Sequence, residues 1–280
     1  RGILADAYEF QLGAIYPARE YCVQYDESDL HFIQRLCEEE GIHYHFQHSA
    51  KAHKLVFVDD QTVFPKLAPV AYQQDSAMVA NDPVIKRFDL RLETRTSCTT
   101  RRDYDFEKPR LKLESENRGD ALPDLEDYDY PGRFVDRERG KHLAKRALER
   151  HRSDYQLAEG KSDQPLLVSG HFLALTQHPK AKWNDLWLLT EILHEGKQPQ
   201  VLEESVTSDT TDLKDDFHQG YRNRFKATPW DVPNRPALHH PKPRLLGSQS
   251  AVVTGPKGEE IHCDEYGRVK IGRASCRERV

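Results

Sequence analysis

Long apolar runs are missing from this 280-residue chain. The densest apolar stretch, Leu166 to Thr176, is interrupted by Ser169, Gly170 and His171, well short of the roughly 20 apolar residues a membrane helix needs. No integral membrane segment is expected. Paired cysteines are missing too. Cys22, Cys37, Cys98, Cys263 and Cys276 are scattered without a CxxC spacing, which argues against a disulfide framework and for folding in a reducing compartment. No signal peptide opens the chain. The net charge of −5 lacks the basic excess that phosphate contacts require, so a general nucleic-acid binder is excluded. The basic residues between Arg133 and Arg152 read as a solvated helix face. Methionine is limited to Met78 and the chain starts at Arg1, so the natural start is expected to lie outside it. The last ten residues, Ile271 to Val280, break the preceding pattern and read like a translated sequencing-library adapter. They are set aside from fold reasoning, and both ends point to a fragment.

What is present fits a folded globular chain: 37% hydrophobic and 31% charged residues, enough for one large domain or two smaller ones. Tyr21, Val23 and Tyr25 alternate as in a strand. Ser28 is placed as an N-cap, followed by Leu30, Ile33, Leu36 and Cys37 at helical spacing, with Gly41 where the helix should end. Ile42, Tyr44 and Phe46 resume strand alternation, with His43 and His45 on the opposite face, and Lys54 to Val58 forms a second strand. Between Pro83 and Phe106 the pattern is β, with Phe88, Leu90 and Leu92 alternating and a threonine-rich run from Thr94 to Thr100. Tyr128 to Gly132 marks a turn. A helix is expected from about Val135 to His151, carried by Leu143, Ala144, Ala147 and Leu148.

Several strands are expected from Leu157 to Phe225. Trp187, Leu189, Glu191 and Leu193 share one face of a strand whose other face carries Leu188, Thr190 and Ile192, which predicts a central strand covered on both sides. Tyr221 to Phe225 reads as the last strand. Five prolines between Thr228 and Leu246 rule out regular structure and predict a stiff linker. Beyond it, Ala251 to Thr254 and Glu259 to Cys263 flank the turn Gly255 to Gly258 as a hairpin. Asp264 to Gly267 is a second turn, and Arg268 to Lys270 opens a further strand.

Chemistry-bearing clusters are few. His43, His45, His48 and His53 lie close together, and two imidazoles on one strand face suit zinc. A site needs a third ligand and supporting partners, and none is evident, so these read as exposed strand histidines. His239 and His240 read as a solvated turn and His31 as a polar-face residue. Asp124, Glu126, Asp127 and Asp129 could supply the paired carboxylates of a glycoside hydrolase, but beside a Pro-Gly turn such residues usually face water. Cys22 and Cys37 fall on apolar faces and read as small core residues. Trp187 belongs to the expected core; Trp230 either packs the linker on a neighbouring subunit or caps its own barrel. No GxSxG, HExxH, phosphate-loop or GxGxxG motif occurs. The expectation is therefore no catalytic, cofactor-binding or metal residue, no cofactor and no enzyme activity.

Pro17-Ala-Arg-Glu-Tyr-Cys-Val-Gln-Tyr25, then Ser28-Asp-Leu30 and Glu38-Glu-Glu-Gly-Ile42, Tyr128-Asp-Tyr-Pro-Gly132 and Tyr221-Arg-Asn-Arg-Phe225 occur in one order along the chain. Gly255-Pro-Lys-Gly-Glu-Glu-Ile261 with Asp264-Glu-Tyr-Gly-Arg-Val-Lys270 follows them. Together these motifs, from about Ala5 to Lys270, resemble the VgrG spike proteins of type VI secretion. The resemblance implies a mainly β fold with helical insertions (α+β): phage-tail-hub-like β-barrel subdomains followed by a truncated OB-fold barrel. It implies a hub domain over residues 1–227, lacking about a hundred N-terminal residues. A proline-rich linker over 228–246, the start of an OB-fold spike domain over 247–270 and a non-native tail over 271–280 complete the expected organisation.

The implied role is a structural homotrimer that caps the tail tube and delivers effectors into target cells. Its implied partners are an Hcp-like tail-tube protein, baseplate components, and a tip protein and effector cargo bound through a missing C-terminal region. Nucleic acid is not among them. The implied location is the bacterial cytoplasm during assembly, then the exterior or a target cell after export by the secretion machine. The alternatives are a tail hub of a contractile phage or phage-like particle and a cell-wall hydrolase.

Overall fold

The computed structural model describes residues 6–19, 21–74, 82–120, 122–198, 220–248, 250–258 and 262–272. They divide between two compact units, Arg1–Pro241 and Lys242–Val280. In chain order the described elements are β1 (Tyr8–Gln11), α1 (Asp29–Glu40), β2 (His43–His48), β3 (His53–Val58), β4 (Val70–Ala71), β5 (Ile85–Leu92), β6 (Cys98–Asp103), β7 (Leu113–Arg118), β8 (Glu126–Asp129), α2 (Arg137–Arg152), β9 (Gln156–Ser162), β10 (Phe172–Thr176), β11 (Leu186–Lys197), β12 (Gly220–Pro229), β13 (Val252–Val253) and β14 (Ile271–Gly272). This is a mainly β chain with two helices among the described residues, as the sequence pattern predicts.

The principal sheet has six strands in the order β4-β10-β11-β12-β9-β5. Its two outer strands meet: Tyr72, just past β4, bridges Ile85 at the start of β5, and the Gln73 N–H donates to the Ile85 carbonyl at 2.9 Å. The sheet thus curls into a half-barrel whose outer strands touch at this bridge. Its interior is filled by Phe88, Leu173, Leu175, Trp187, Leu189 and Phe225, all less than 5% exposed. Gly160 pairs with Phe225 across β9 and β12. A Cβ at position 160 would lie 2.1 Å from the Phe225 ring, so the absent side chain is what seats that ring.

β11 is central, between β10 and β12, and from Trp187 to Leu189 it is covered on both faces as read from the sequence; only beyond a bulge does the pattern change. Trp187, Leu188 and Leu189 are buried, but the register shifts between Leu189 and Glu191. A bulge adds one residue to one strand and reverses which residues face inward. Beyond it Ile192 packs on the core while Leu193 stands 53% exposed.

A second sheet, β7-β6-β8, is covered by α2, whose buried face is small: Gly140, Ala144, Ala147 and Leu148. Small residues let helix and sheet approach, and the Thr99 hydroxyl donates to the Ala144 carbonyl at 2.7 Å. The third sheet runs β1-β3-β2, with β1 parallel and β2 antiparallel to β3. Tyr21 to Tyr25 is no strand. Among the described residues it has no ladder partner, and Tyr21, Cys22, Val23 and Tyr25 are exposed, so Cys22 is not a core residue. Alternation alone does not make a strand where no neighbour supplies hydrogen bonds.

In the second unit, Val252 and Val253 pair with Gly272 and Ile271; residues 259–261 of the expected hairpin lie outside the described residues, as does Cys276. The turn at Asp264 is as read: its carboxylate accepts from the Tyr266 and Arg268 amides, both at 2.9 Å.

Candidate functional site

Three consecutive glutamates, Glu38, Glu39 and Glu40, close α1, where the helix dipole disfavours negative charge. They are tolerated because α1 turns its charge inward. Its buried residues are Arg35, Glu38 and Glu40, whereas Leu30 and Ile33 of the predicted apolar stripe are 60% and 41% exposed. Ser28 caps the helix by accepting from the His31 amide at 3.2 Å. Gly41 ends it at φ 74°, with the Arg146 and Arg235 side chains only 3.1–3.2 Å from where a Cβ would stand.

Opposite this face lies α2. Arg139 grips both oxygens of Glu40 at 2.7 and 2.5 Å, and Arg19 joins Glu40 and Glu39 at 2.5 and 2.9 Å. Arg146 pairs with Glu149 at 2.8 Å. The basic run from Arg133 to Arg152 is thus not simply solvated: Arg146 is buried and Arg150 half-buried. Unpaired buried charge is costly, and here Glu40 is met by Arg139 across the helices, Arg146 by Glu149 within α2 and Arg35 by Glu27. At the end of β3, Asp59 accepts from the Gly13 and Ala14 amides at 2.8 and 2.9 Å and from the Tyr16 hydroxyl at 2.9 Å. Burial pushes this carboxyl up, but those donors and the nearby Arg146 outweigh it and hold it below its usual range. Burial and the Asp59 carboxylate push the Tyr16 phenol up.

Residues 230–241, within the proline-rich stretch, form a strap across this junction. Val232 is buried. Arg235, with a side chain 7% exposed, donates to Glu149 at 2.7 Å, to the Gly41 carbonyl at 3.1 Å and to the Asp59 carbonyl. Glu38 accepts from the His239 and His240 amides, both at 3.0 Å, and from the His240 ring at 2.6 Å. The His31 ring stands edge-on to His240 at 4.9 Å and bonds the Pro241 carbonyl at 3.2 Å. His239, His240 and His31 are therefore anchor points rather than a solvated turn and a polar face. Trp230 is half-exposed while its indole and amide bond Asp185 and Leu186, so it caps its own barrel. The sequence reading missed Glu38, Glu40, Glu149 and Arg235. The available signal was a run of glutamates at the wrong end of a helix.

The other candidates do not converge. Asp127 and Asp129 pair with Arg101 at 3.0 and 2.5 Å, Asp124 with Arg118 at 2.6 Å, and Glu126 accepts from Thr100 at 2.5 Å. The four histidines split across the β2–β3 sheet. His48 and His53 meet at 2.7 Å on one face, while His43 and His45 pack on Phe64, each 5.1 Å away. His43 and His45 are therefore half-buried, not exposed, because Phe64 folds over them. Among the described residues no group of three or more metal-ligating side chains is assembled.

His43 carries a pH consequence. Burial, with Arg235 and His45 adding to it, pulls its pKa down to about 4, and neither ring nitrogen has a partner. The unfolded chain binds this proton below about pH 6.5 while the folded chain refuses it until about 4. Its contribution to stability is complete above pH 6.5 and is lost progressively on acidification to 4. Urea unfolding across that window should show about 3 kcal/mol more pH-dependence in the native chain than in His43→Phe, at about 1.4 kcal/mol per pH unit. Equal slopes would rule the assignment out.

Residues 1–200 match the family described as the phage tail baseplate hub. A type VI secretion system spike protein, VgrG4b of Pseudomonas aeruginosa, is 74% identical over 96% of this chain. VgrG5 of the same organism is 66% identical over 96%. The chain spans about a third of the length of these curated relatives, 34% and 35%. Among solved structures, an E. coli component of the type VI secretion system, itself similar to the T4 bacteriophage tail proteins gp27 and gp5, superposes with a TM-score of 0.59 at 20% identity. That match covers 96% of this chain and 56% of the other and speaks for the fold alone.

Proposed function

Since the chain belongs to the phage tail baseplate hub family and, within it, to the VgrG spike proteins of type VI secretion, we propose that it forms the hub and spike base of a homotrimer. The trimer caps a tail tube and delivers effectors. The observation that carries this reading is the 74% identity that persists across 96% of the chain with a secretion spike protein. The physical organisation supports it: a curled sheet, a charge-paired junction and a strap pinned at Arg235 and Glu38 stiffen the unit up to Pro241. In this reading the tail-tube protein and baseplate components bind the hub. Residues after the strap lead into an OB-fold spike domain and then to a tip protein and cargo. Assembly takes place in the cytoplasm and export is by the secretion machine. The role is assembly rather than catalysis, and no residue is assigned to a catalytic, cofactor or metal site.

Light scattering on the complete protein tests the assembly. A mass three times that of the protomer is expected. A clean monomer would remove the ring on which the mechanism rests. A hub of a contractile phage or phage-like particle is the second reading, favoured by the family's own description; it shares the trimer and differs only in the genes alongside. In this reading the carboxylates that could serve a hydrolase have a structural part instead, each engaged by Arg101, Arg118 or Thr100.

A further inference from the structure

Between β8, the last turn of α2 and the strap lies a cavity of about 570 Å3, within the usual size range of small-ligand pockets. Three carboxylates line it, and all three are taken. Asp154 receives both nitrogens of the Arg95 fork at 2.9 and 2.7 Å. Asp127 is shared by Arg101 and the His151 ring, both at 3.0 Å, and Asp129 pairs with Arg101 at 2.5 Å.

Arg150, on the same wall, is different. It is half-buried, and its one direct bond runs from Nη2 to a neutral acceptor, the Glu38 carbonyl, at 2.9 Å. Its Nε is buried without a partner. Burial, with Arg101 nearby, pulls its pKa down to about 10 although Glu38 and Asp127 oppose the shift. By contrast Arg19, Arg35, Arg101, Arg139, Arg146 and Arg235 each have a carboxylate within 3.0 Å. A guanidinium on the wall of an open cavity without a bonded counter-charge is suited to an oxyanion.

We propose that Arg150 is the charge-recognising residue of a small-oxyanion site in this cavity, taking a phosphate or carboxylate group. The His151 ring and the Tyr128 side chain, 53% exposed, stand on the same wall as further polar contacts, and Leu238 of the strap offers an apolar rim. An anion bound here tightens α2 against the strap, because Arg150 comes from one and Leu238 from the other. The proposal is independent of the hub reading and would stand in any protein with this junction.

Calorimetric titration of the 280-residue chain with inorganic phosphate and, separately, citrate, each against sodium chloride at equal ionic strength, tests it. Saturable binding is expected for at least one of the two, and which one it is tells phosphate from carboxylate recognition. Arg150→Gln keeps the length of the side chain and removes the charge; it should weaken binding by 10-fold or more. Arg150→Lys keeps the charge without the fork and should fall between. Circular dichroism in anion-free buffer checks that both variants fold; should Arg150→Gln fail, the lysine variant alone decides, by a several-fold loss or its absence. No saturable binding of either anion, or binding unchanged in the variants, overturns the proposal.

Discussion

Arg235→Ala should destabilise the first unit by about 3–5 kcal/mol, the range for breaking a buried ion pair from one side. For a unit of this size that is a fall in unfolding midpoint on the order of 10 °C. The magnitude follows from what is left behind. Arg235 and Glu149 have side chains only 7% and 13% exposed, and the guanidinium also satisfies the carbonyls of Gly41 and Asp59. Alanine removes one cation, takes that donor from the Gly41 and Asp59 carbonyls and leaves Glu149 to Arg146. Lys141→Ala is the reference. Its pair with Glu138 lies at 65% and 83% exposure, so the cost should stay within about 0.5 kcal/mol. The double variant Arg235→Ala, Glu149→Ala should cost less than the sum of its parts, because both single changes remove the same ion pair. Thermal and urea unfolding of the four proteins measures all of this. An Arg235→Ala cost no larger than that of Lys141→Ala would mean that the strap merely rests on the junction. In the hub reading the same substitution should loosen the anchorage of the residues that lead out of the barrel while leaving the barrel itself intact.

Much of the fold was legible where local pattern and tertiary environment agree. Ser28 and Gly41 bracket α1 because capping is a backbone matter decided within a turn. The small face of α2 announced a helix packed closely on a sheet. Legibility failed where a long-range partner decides the outcome. Tyr21 to Tyr25 alternates like a strand, but no neighbouring strand is there to receive it. The bulge in β11 that exposes Leu193 is a property of pairing with β12, not of the β11 sequence. The junction was hidden for a related reason. Hydrophobic periodicity assumes that apolar faces are buried, and α1 buries Glu38 and Glu40 instead because Arg139 of α2 and the strap backbone wait on the other side. His239 and His240 looked like a solvated pair only because their partner, Glu38, lies about two hundred residues upstream. The family resemblance was readable because it rests on ordered motifs rather than on which face a residue takes.

Phe225→Ala should cost about 3–5 kcal/mol, the range for emptying an aromatic site in a core. The more discriminating experiment pairs it with Gly160. On propensity alone Gly160→Ala ought to stabilise β9 by roughly 0.5–1 kcal/mol, since glycine loses more conformational freedom on folding than alanine. The barrel predicts the opposite sign. The new methyl would stand 2.1 Å from one carbon of the Phe225 ring and within 2.7 Å of two more. That ring is 3% exposed and walled by Phe88, 6.3 Å away. With no room to retreat, overpacking should make Gly160→Ala about 1–3 kcal/mol destabilising. In the Phe225→Ala background the clash vanishes and the propensity gain returns, so the same substitution should become neutral or favourable. A sign reversal between the two backgrounds is therefore the signature of an aromatic ring seated on a glycine inside the curled sheet. If Gly160→Ala stabilises the native chain by urea unfolding, the ring does not sit there, and the packing that closes β9 onto β12 would have to be redrawn.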